Sequence, residues 1–169
     1  MTESAQPQFL IRPAAEADVS DIARLIRELA DYEKLVHACH VDETLLGEHL
    51  FGERPYVEAI VAEVEGAAVG FALYFHNYST FRSNPGLYLE DLYIEPQHRG
   101  GGIGKALFER VIELAAERGC GRVEWLVVDW NKAAIDFYTE AFGAEPVEGW
   151  TLFRLTEEAI RTRSSNQDR

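Results

Sequence analysis

The sequence has few cysteines and no long apolar run. Its 169 residues include two cysteines, Cys39 and Cys120, which are too few for a disulfide framework. No stretch reaches the roughly 18 apolar residues that a membrane-spanning helix needs. Residues 1–13 lack the basic start and apolar core of a secretory signal, so we expect a cytoplasmic protein.

Basic residues are also scarce, since 16 Lys and Arg stand against 29 Asp and Glu, for a formal net charge of -13. Nucleic-acid binding needs a basic surface that displaces counterions from phosphates, so the composition argues against a nucleic-acid partner. It favours cationic partners, although an acidic surplus can also serve solubility alone. The hydrophobic share of 47% and the 6 prolines are typical of an ordinary globular domain.

Strand-like and helix-like segments alternate along the chain, which predicts a mixed sheet with helices on both faces, in the α/β or α+β class. We expect a helix that opens near Asp18 and further helices at residues 42–50, 102–118 and 132–142. We expect strands at residues 9–12, 56–64, 67–76, 87–94, 122–128 and 150–155. Residues 1–8 and 161–169 are polar and unpatterned, so flexible ends should flank a single domain at residues 9–160.

The fourth predicted strand changes its pattern halfway. Leu87 and Leu89 alternate in one phase, whereas Leu92 and Ile94 alternate in the opposite one. Such a slip turns apolar side chains to the wrong face unless an extra residue is absorbed in the strand. The pattern therefore predicts a β-bulge at Glu90-Asp91, where unpaired backbone groups could hydrogen-bond a ligand.

A glycine-rich loop, Glu-Pro-Gln-His-Arg-Gly-Gly-Gly-Ile-Gly-Lys at residues 95–105, connects this strand to a strong helix. It is not a dinucleotide fingerprint, which would need Gly in place of Lys105, nor a Walker A loop, which would need Gly in place of Arg99. Residues 96–108 contain no Asp or Glu, while Arg99, Lys105 and His98 add positive charge. Unpaired N–H groups at the positive end of a helix predict a site for phosphate oxygens. A surface loop without function is the alternative.

The stretch Arg99-Gly100-Gly101-Gly102-Ile103-Gly104 resembles the Q/R-x-x-G-x-G/A acyl-CoA pyrophosphate loop of the GNAT N-acetyltransferase superfamily. Residues 9–14, 27–33, 87–93, 129–138 and 148–150 resemble the spermidine/spermine (diamine) and thialysine acetyltransferase subfamily. The resemblance extends over residues 9–158 and implies a mostly antiparallel sheet with a bulged fourth strand. It further implies a homodimeric N-acetyltransferase that uses acetyl-CoA, with no metal, and acts on a small cationic amine.

The resemblance also implies roles for individual residues. The amine would attack acetyl-CoA directly in a ternary complex, with Tyr138 as the general acid for the leaving thiolate and Glu90 as the base, through water. A phenol with a pKa of about 10 is protonated at neutral pH and can donate. The implied cofactor-binding residues are Leu92, Tyr93, Ile94, Arg99, Gly100, Gly101, Gly102, Ile103, Gly104, Lys105, Asn131 and Tyr138. The implied substrate-binding residues are Glu28, Tyr32, Glu33, Tyr78, Phe81, Glu90, Asp91 and Trp150.

Some of these residues have a purely structural alternative. Tyr138 shares a helical stripe with apolar residues and could belong to the core. Glu90 could hold its carboxylate in water at the bulge, and Glu28, Tyr32 and Glu33 could belong to a solvated helix end. His37, Cys39 and His40 suggest zinc ligands, but their spacing is not a standard pair of pairs and we expect no metal.

The sequence leaves the acceptor amine open. Tyr78-Ser79-Thr80-Phe81 resembles the thialysine branch, whereas polyamine enzymes carry an acidic residue near this point, where this chain has Arg82 and Asn84. The missing carboxylate favours a lysine-like amino acid or a short diamine over a long polyamine. A protein-lysine or N-terminal acetyltransferase and a non-catalytic acyl-CoA sensor are the alternatives.

Overall fold

The computed structural model describes residues 9–165, which form five strands and five α-helices. In chain order the elements are β1 Leu10–Pro13, α1 Val19–Tyr32, α2 Glu43–Phe51, β2 Glu58–Val64, β3 Ala67–Ser79, β4 Asn84–Ile94, α3 Ile103–Glu117, β5 Val123–Trp125, α4 Lys132–Phe142 and α5 Glu157–Ser165. The chain divides into two compact units, Met1–Val128 and Asp129–Arg169. The first unit therefore contains the whole sheet with α1, α2 and α3, and the second contains α4 and α5.

The five strands form one sheet in the order β1-β2-β3-β4-β5. Neighbouring strands are antiparallel except β4 and β5, which are parallel. β3 lies in the middle, and its residues 68–74 are all buried, as expected for a strand covered on both faces. The predicted mixed, mostly antiparallel sheet is confirmed.

Helices pack against both faces of this sheet. On one face, Ile22 and Leu25 of α1 join Phe71 of β3 in an apolar cluster of fully buried side chains. Each such side chain contributes about 1.5–3 kcal/mol to folding. Tyr74, three residues beyond Phe71, points to the opposite face, where Arg118 at the end of α3 lies 5.7 Å from its ring centroid. The sheet thus separates α1 from α3.

Local sequence signals set several boundaries of the predicted strands and helices. Glu65 and Gly66 join β2 to β3 with φ angles of 51° and 84°, and two positive φ angles suit the twist of a tight hairpin. Asp42 begins α2 by accepting a hydrogen bond from the Leu45 N–H at 3.0 Å. Asn131 begins α4 by accepting one from the Ala134 N–H at 3.2 Å, so both helices have side-chain caps.

The prediction of a strand at residues 122–128 is wrong in length, because β5 covers only Val123–Trp125. Its last residue, Trp125, pairs with Leu89 of β4, and the next residue of β4 is the one that bulges. A bulge interrupts the hydrogen-bond ladder, so the parallel pairing stops there.

The prediction of a strand at residues 150–155 is wrong, since these residues form no regular element. A strand needs a partner that supplies hydrogen bonds as well as alternating apolar residues. Instead, α5 covers residues 157–165, which includes part of the segment expected to be a flexible tail. Thr156 accepts a hydrogen bond from the Ala159 N–H, a helix-start signal that the sequence analysis missed. The expected flexibility of residues 1–8 and 166–169 lies outside the described residues.

Candidate functional site

The bulge predicted in β4 is confirmed. Leu73 of β3 pairs with Asp91 and Tyr74 pairs with Leu89, so Glu90 has no partner on β3. The extra residue reverses the phase of the strand. As a result, the two aliphatic residues before Glu90 and the two after it all face α3, namely Leu87, Leu89, Leu92 and Ile94.

Beyond the bulge, one edge of β4 is open. The Glu95 N–H donates to the carbonyl of Val69 in β3 at 2.9 Å. Because backbone groups alternate between the two edges of a strand, the N–H and carbonyl groups of Leu92 and Ile94 point to the edge opposite β3. Because β5 ends opposite Leu89, no strand among residues 9–165 covers that edge. An extended ligand that carries amide groups could pair with it as an added strand would.

The glycine-rich loop leads from this edge directly into α3. Gly100 and Gly102 have φ angles of 80° and 88°, and Gly102 caps the helix. Both are exposed, with open space where a side chain would stand. A Cβ on Gly104 would lie 3.1 Å from the Ile94 Cδ1 atom, so the helix start packs closely on the end of β4. The exposed N–H groups at the start of α3, whose first turn contains no acidic residue, suit an anion.

The Arg99 side chain lies against the α1 side of β4. Its guanidinium carbon is 5.0 Å from the Tyr32 ring centroid and 5.2 Å from the Tyr93 ring centroid, which are cation–π distances. Its Nε donates to the Ile94 carbonyl at 2.9 Å. Lys105, at the start of α3, is exposed and pairs loosely with Glu109 at 3.7 Å. Lys105 and the loop N–H groups are therefore the groups at the helix start that could hold phosphate oxygens.

Glu33 at the end of α1 and Glu90 at the bulge both act electrostatically on Asp91, and we call these three carboxylates the acidic patch. Burial raises the pKa of Asp91 to about 7, and the nearby carboxylates of Glu90 and Glu33 contribute to the same upward shift. Burial also raises the pKa of Glu33 above its usual range. A cation that entered the acidic patch would offset the repulsion between its negative charges and favour the ionised form of the carboxylates.

The raised pKa of Asp91 makes stability depend on pH. The folded-state pKa of about 7 exceeds the unfolded value of about 3.9, so the folded protein loses stability as the pH rises from 4 through 7. We expect Asp91→Asn to be roughly 1–3 kcal/mol more stable than the parent at pH 8 and close to it at pH 4, allowing for partial solvent screening. Thermal unfolding at both pH values measures this difference. Glu48→Gln, an exposed change on α2, is the control and should show no such pH-dependent gain.

A cleft of about 520 Å³ runs along the exposed stripe of α1, within the size range of small-molecule sites. The Tyr93 hydroxyl contacts Glu28 there, and burial followed by the Glu28 charge raises the pKa of Tyr93. The cleft is lined by two arginines, two carboxylates, two tyrosines and a proline, namely Arg24, Arg27, Glu28, Asp31, Tyr32, Tyr93 and Pro96.

A partly buried ion pair fastens the glycine-rich loop to α1. Arg24 donates to Glu95, to Glu28 at 2.8 Å and to the Ala68 carbonyl at 2.9 Å. The buried Glu95 carboxylate also accepts from Gln97 Nε2 at 2.6 Å. Because Glu95 is the first residue of the loop, this network fixes where the loop begins.

Removing the Glu95 carboxylate should therefore weaken the fold. We expect Glu95→Ala to lower the free energy of unfolding by about 2 kcal/mol, because Arg24 and Gln97 lose a charged hydrogen-bond acceptor. Urea denaturation checks this value. Glu113→Ala removes an exposed ion pair with Arg110 on α3 and should cost less than about 0.5 kcal/mol; an equal loss in the two variants would contradict the structural role of Glu95.

The second unit contains three of the predicted site residues. Tyr138 on α4 is buried at 8% exposure, and burial raises its pKa, so its phenol is protonated throughout the neutral range. The Asn131 side chain caps α4. Trp150 is exposed at 78% in an irregular segment.

The structure brings Glu28, Tyr32, Glu33, Glu90 and Asp91 together around α1 and the bulge, but it separates two other predicted substrate residues from them. Tyr78 and Phe81 lie at the tip of the β3–β4 hairpin, and Tyr78 is five residues along β3 from the partner of Asp91. That separation corresponds to about 17 Å.

Sequence reasoning missed Arg24, Arg27, Asp31 and Glu95. The four-residue spacing of Arg24 to Glu28 and of Arg27 to Asp31 is a signal that could have revealed the polar stripe on α1. No local signal points to Glu95, which is 71 positions from Arg24. Within residues 9–165, no group of three or more His, Cys, Asp or Glu side chains is arranged to hold a metal ion, and no helix is long and apolar enough to cross a membrane.

The sequence profile described as "Acetyltransferase (GNAT) family" matches residues 22–144. The chain belongs to the GNAT acetyltransferase family. The match includes most of α1, the bulged strand, the glycine-rich loop and α4, and it confirms the resemblance identified from the sequence. The protein is accordingly a GNAT acyltransferase, a family whose members use acetyl-CoA.

Individual relatives agree with this assignment. The chain is 42% identical over 163 residues to thialysine N-epsilon-acetyltransferase of Bos taurus, which covers 90% of this chain and 95% of the relative. It is 31% identical over 196 residues to L-ornithine N5-acetyltransferase of Arabidopsis thaliana, which covers 89% of this chain and 86% of the relative. A solved integron cassette protein of V. cholerae superposes with a TM-score of 0.77 at 23% identity and covers 93% of this chain and 98% of its own, which shows that the fold is shared.

Proposed function

We propose that the protein transfers the acetyl group of acetyl-CoA to the primary amine of a small cationic acceptor, with thialysine or a lysine-like amino acid preferred over a long polyamine. The acidic patch beside the open edge of β4 is the observation that carries this proposal, because it offers carboxylates to an ammonium group next to a strand edge that suits an extended amide ligand. The names of the similar thialysine and ornithine acetyltransferases support the choice of acceptor.

The residues present fit acetyl-CoA. The backbone of Leu92 and the N–H of Ile94, whose carbonyl already accepts from Arg99, would pair with its pantetheine, and the N–H groups of residues 100–104 with Lys105 would hold its pyrophosphate. The co-substrate supplies an acetyl group activated as a thioester. An acidic patch that holds the amine beside it would raise the effective concentration of the nucleophile.

The chain's own groups would handle two protons. An alkyl ammonium with a pKa of about 10.4 must lose a proton before its nitrogen can attack, which costs about 4 kcal/mol at pH 7.4. We propose that Glu90, which is exposed at the bulge, accepts that proton through water and passes it to solvent. As the carbon–nitrogen bond forms and the carbon–sulfur bond breaks, Tyr138 donates its proton to the leaving thiolate and then regains one from solvent.

Release of free thiol from acetyl-CoA tests the proposal. Thialysine, lysine, ornithine, putrescine, spermidine and a histone-tail peptide are compared at equal concentrations. We expect thialysine and lysine to exceed spermidine. The highest rate with the peptide would favour a protein acetyltransferase, and no release with any acceptor while acetyl-CoA still binds would favour the acyl-CoA sensor.

We further propose that the enzyme is a homodimer, which the resemblance to the subfamily supports, and that it acts in the cytoplasm. Light scattering should then report twice the 19.1 kDa mass of the chain. A monomer at micromolar concentration would contradict this proposal.

A further inference from the structure

The α1 cleft carries charges of both signs, whereas a site that takes only a polyamine needs carboxylates alone. Arg24 is occupied by Glu28, Glu95 and the Ala68 carbonyl. Arg27 is different, because its bonds to Glu43, at 3.2 and 3.3 Å, and to the Val41 carbonyl, at 3.4 Å, are all long, and its side chain is 49% exposed. Surface pairs of this kind contribute little, so Arg27 can exchange its partner for an anion.

A free carboxylate lies one helical turn from Arg27. Asp31 is exposed, and its side chain has no ion-pair partner within the part of the chain that the structure describes. Residues four positions apart on a helix are neighbours on its surface, so Arg27 and Asp31 offer a cation and an anion side by side. The α-carboxylate and α-ammonium of a free amino acid form the complementary pair.

We propose that the α1 cleft binds the zwitterionic head of an amino-acid acceptor, with Arg27 paired to its α-carboxylate and Asp31 to its α-ammonium. The inference rests on the proposed acetylation of a small amine and names the chemical class of that acceptor. It makes Arg27 a specificity-determining residue that distinguishes free amino acids from diamines and from lysines within a peptide.

The dimensions of β4 agree with the length of a lysine-like side chain. Tyr93 lines the cleft, and Asp91 in the acidic patch is two residues away on the same face of the sheet. Two residues of a strand span about 7 Å. Five single bonds separate the α-carbon of lysine from its side-chain nitrogen and in zigzag span about 6 Å, and the two longer carbon–sulfur bonds of thialysine make its reach slightly greater. A head group that lies beside Tyr93 in the cleft would thus bring the reactive amine within reach of Asp91.

A matched pair of acceptors isolates the carboxylate. Thialysine has an α-carboxylate that bis(2-aminoethyl) sulfide lacks, and the two compounds are otherwise identical. The kcat/KM for thialysine divided by that for the sulfide therefore reports how strongly the enzyme recognises the carboxylate. We expect the parent enzyme to favour thialysine about tenfold or more, as one charge-assisted bond allows. Arg27→Gln should reduce this ratio to about two or less, and Arg27→Lys should retain part of it. Arg110→Gln, on α3, removes only exposed ion pairs with Glu113 and Glu117 and should leave the ratio as it is in the parent.

The outcomes separate this inference from the proposed function. Equal kcat/KM for the two acceptors, or an equal loss for both in Arg27→Gln, would overturn the zwitterion cleft while acetylation of amines stands. If neither acceptor is acetylated, the proposed function fails. Calorimetric titration of both compounds then tests whether the α1 cleft binds the amino-acid head group. Tighter binding of thialysine that is lost in Arg27→Gln would support it, and equal or absent binding would overturn it.

Discussion

Replacing Tyr138 with phenylalanine is expected to lower kcat roughly 100- to 1,000-fold while the KM for acetyl-CoA stays nearly unchanged, because a general acid contributes in that range. Phenylalanine keeps the buried ring of α4 and removes only the proton donor. A hundredfold loss corresponds to about 2.7 kcal/mol of transition-state stabilisation. Steady-state rates at saturating acetyl-CoA measure the effect.

The pH profile strengthens the test of Tyr138. Burial raises the pKa of its phenol above the usual value, so the acid form persists and the parent enzyme should show no alkaline loss of kcat below pH 10 that depends on this residue. Tyr56→Phe is the control, since Tyr56 is 73% exposed between α2 and β2, and its rate should match the parent. A Tyr138→Phe variant with unchanged kcat would remove Tyr138 from the mechanism.

Placing a methyl group on the glycine-rich loop is expected to raise the KM for acetyl-CoA at least about tenfold, which corresponds to about 1.4 kcal/mol. In Gly102→Ala the new Cβ projects into the open space at the start of α3, where phosphate oxygens would approach the backbone. The φ angle of 88° also adds strain of about 1–2 kcal/mol. Initial rates over a range of acetyl-CoA concentrations give the KM.

The other end of α3 supplies a matched control. Gly119 follows the helix with a φ angle of 66°, and it too has open space where the methyl group of an alanine would stand. Gly119→Ala should therefore cost similar stability and leave the KM for acetyl-CoA as in the parent. An equal rise of KM in both variants would mean that strain, and not the blocked approach of the phosphates, explains the result.

The features that the sequence predicted well are those set by neighbouring residues. The bulge follows from the phase change between Leu89 and Leu92, and the start of α4 follows from the Asn131 cap. The glycine-rich loop was recognisable because its chemistry is contained in one short stretch. In each case the signal and its structural consequence lie within a few positions of each other.

The features that the sequence analysis missed depend on distant partners. The Arg24–Glu95 pair joins residues 71 positions apart, and the cleft exists because α1 packs across the end of β4. The length of β5 is determined by the bulge in its neighbour. Residues 150–155 have the apolar pattern of a strand but no ladder partner in the described chain, so pattern alone gave a wrong result there.

The central claim is that an acetyl group passes from acetyl-CoA to the side-chain amine of a free amino acid, and mass spectrometry with NMR of the reaction product tests it most directly. Incubation of the enzyme with acetyl-CoA and thialysine should give free CoA and one acetylated product, with the acetyl group on the side-chain nitrogen. Acetylation of the α-nitrogen would contradict the proposed orientation in the α1 cleft. Absence of any acetylated product, with acetyl-CoA intact, would contradict the account as a whole.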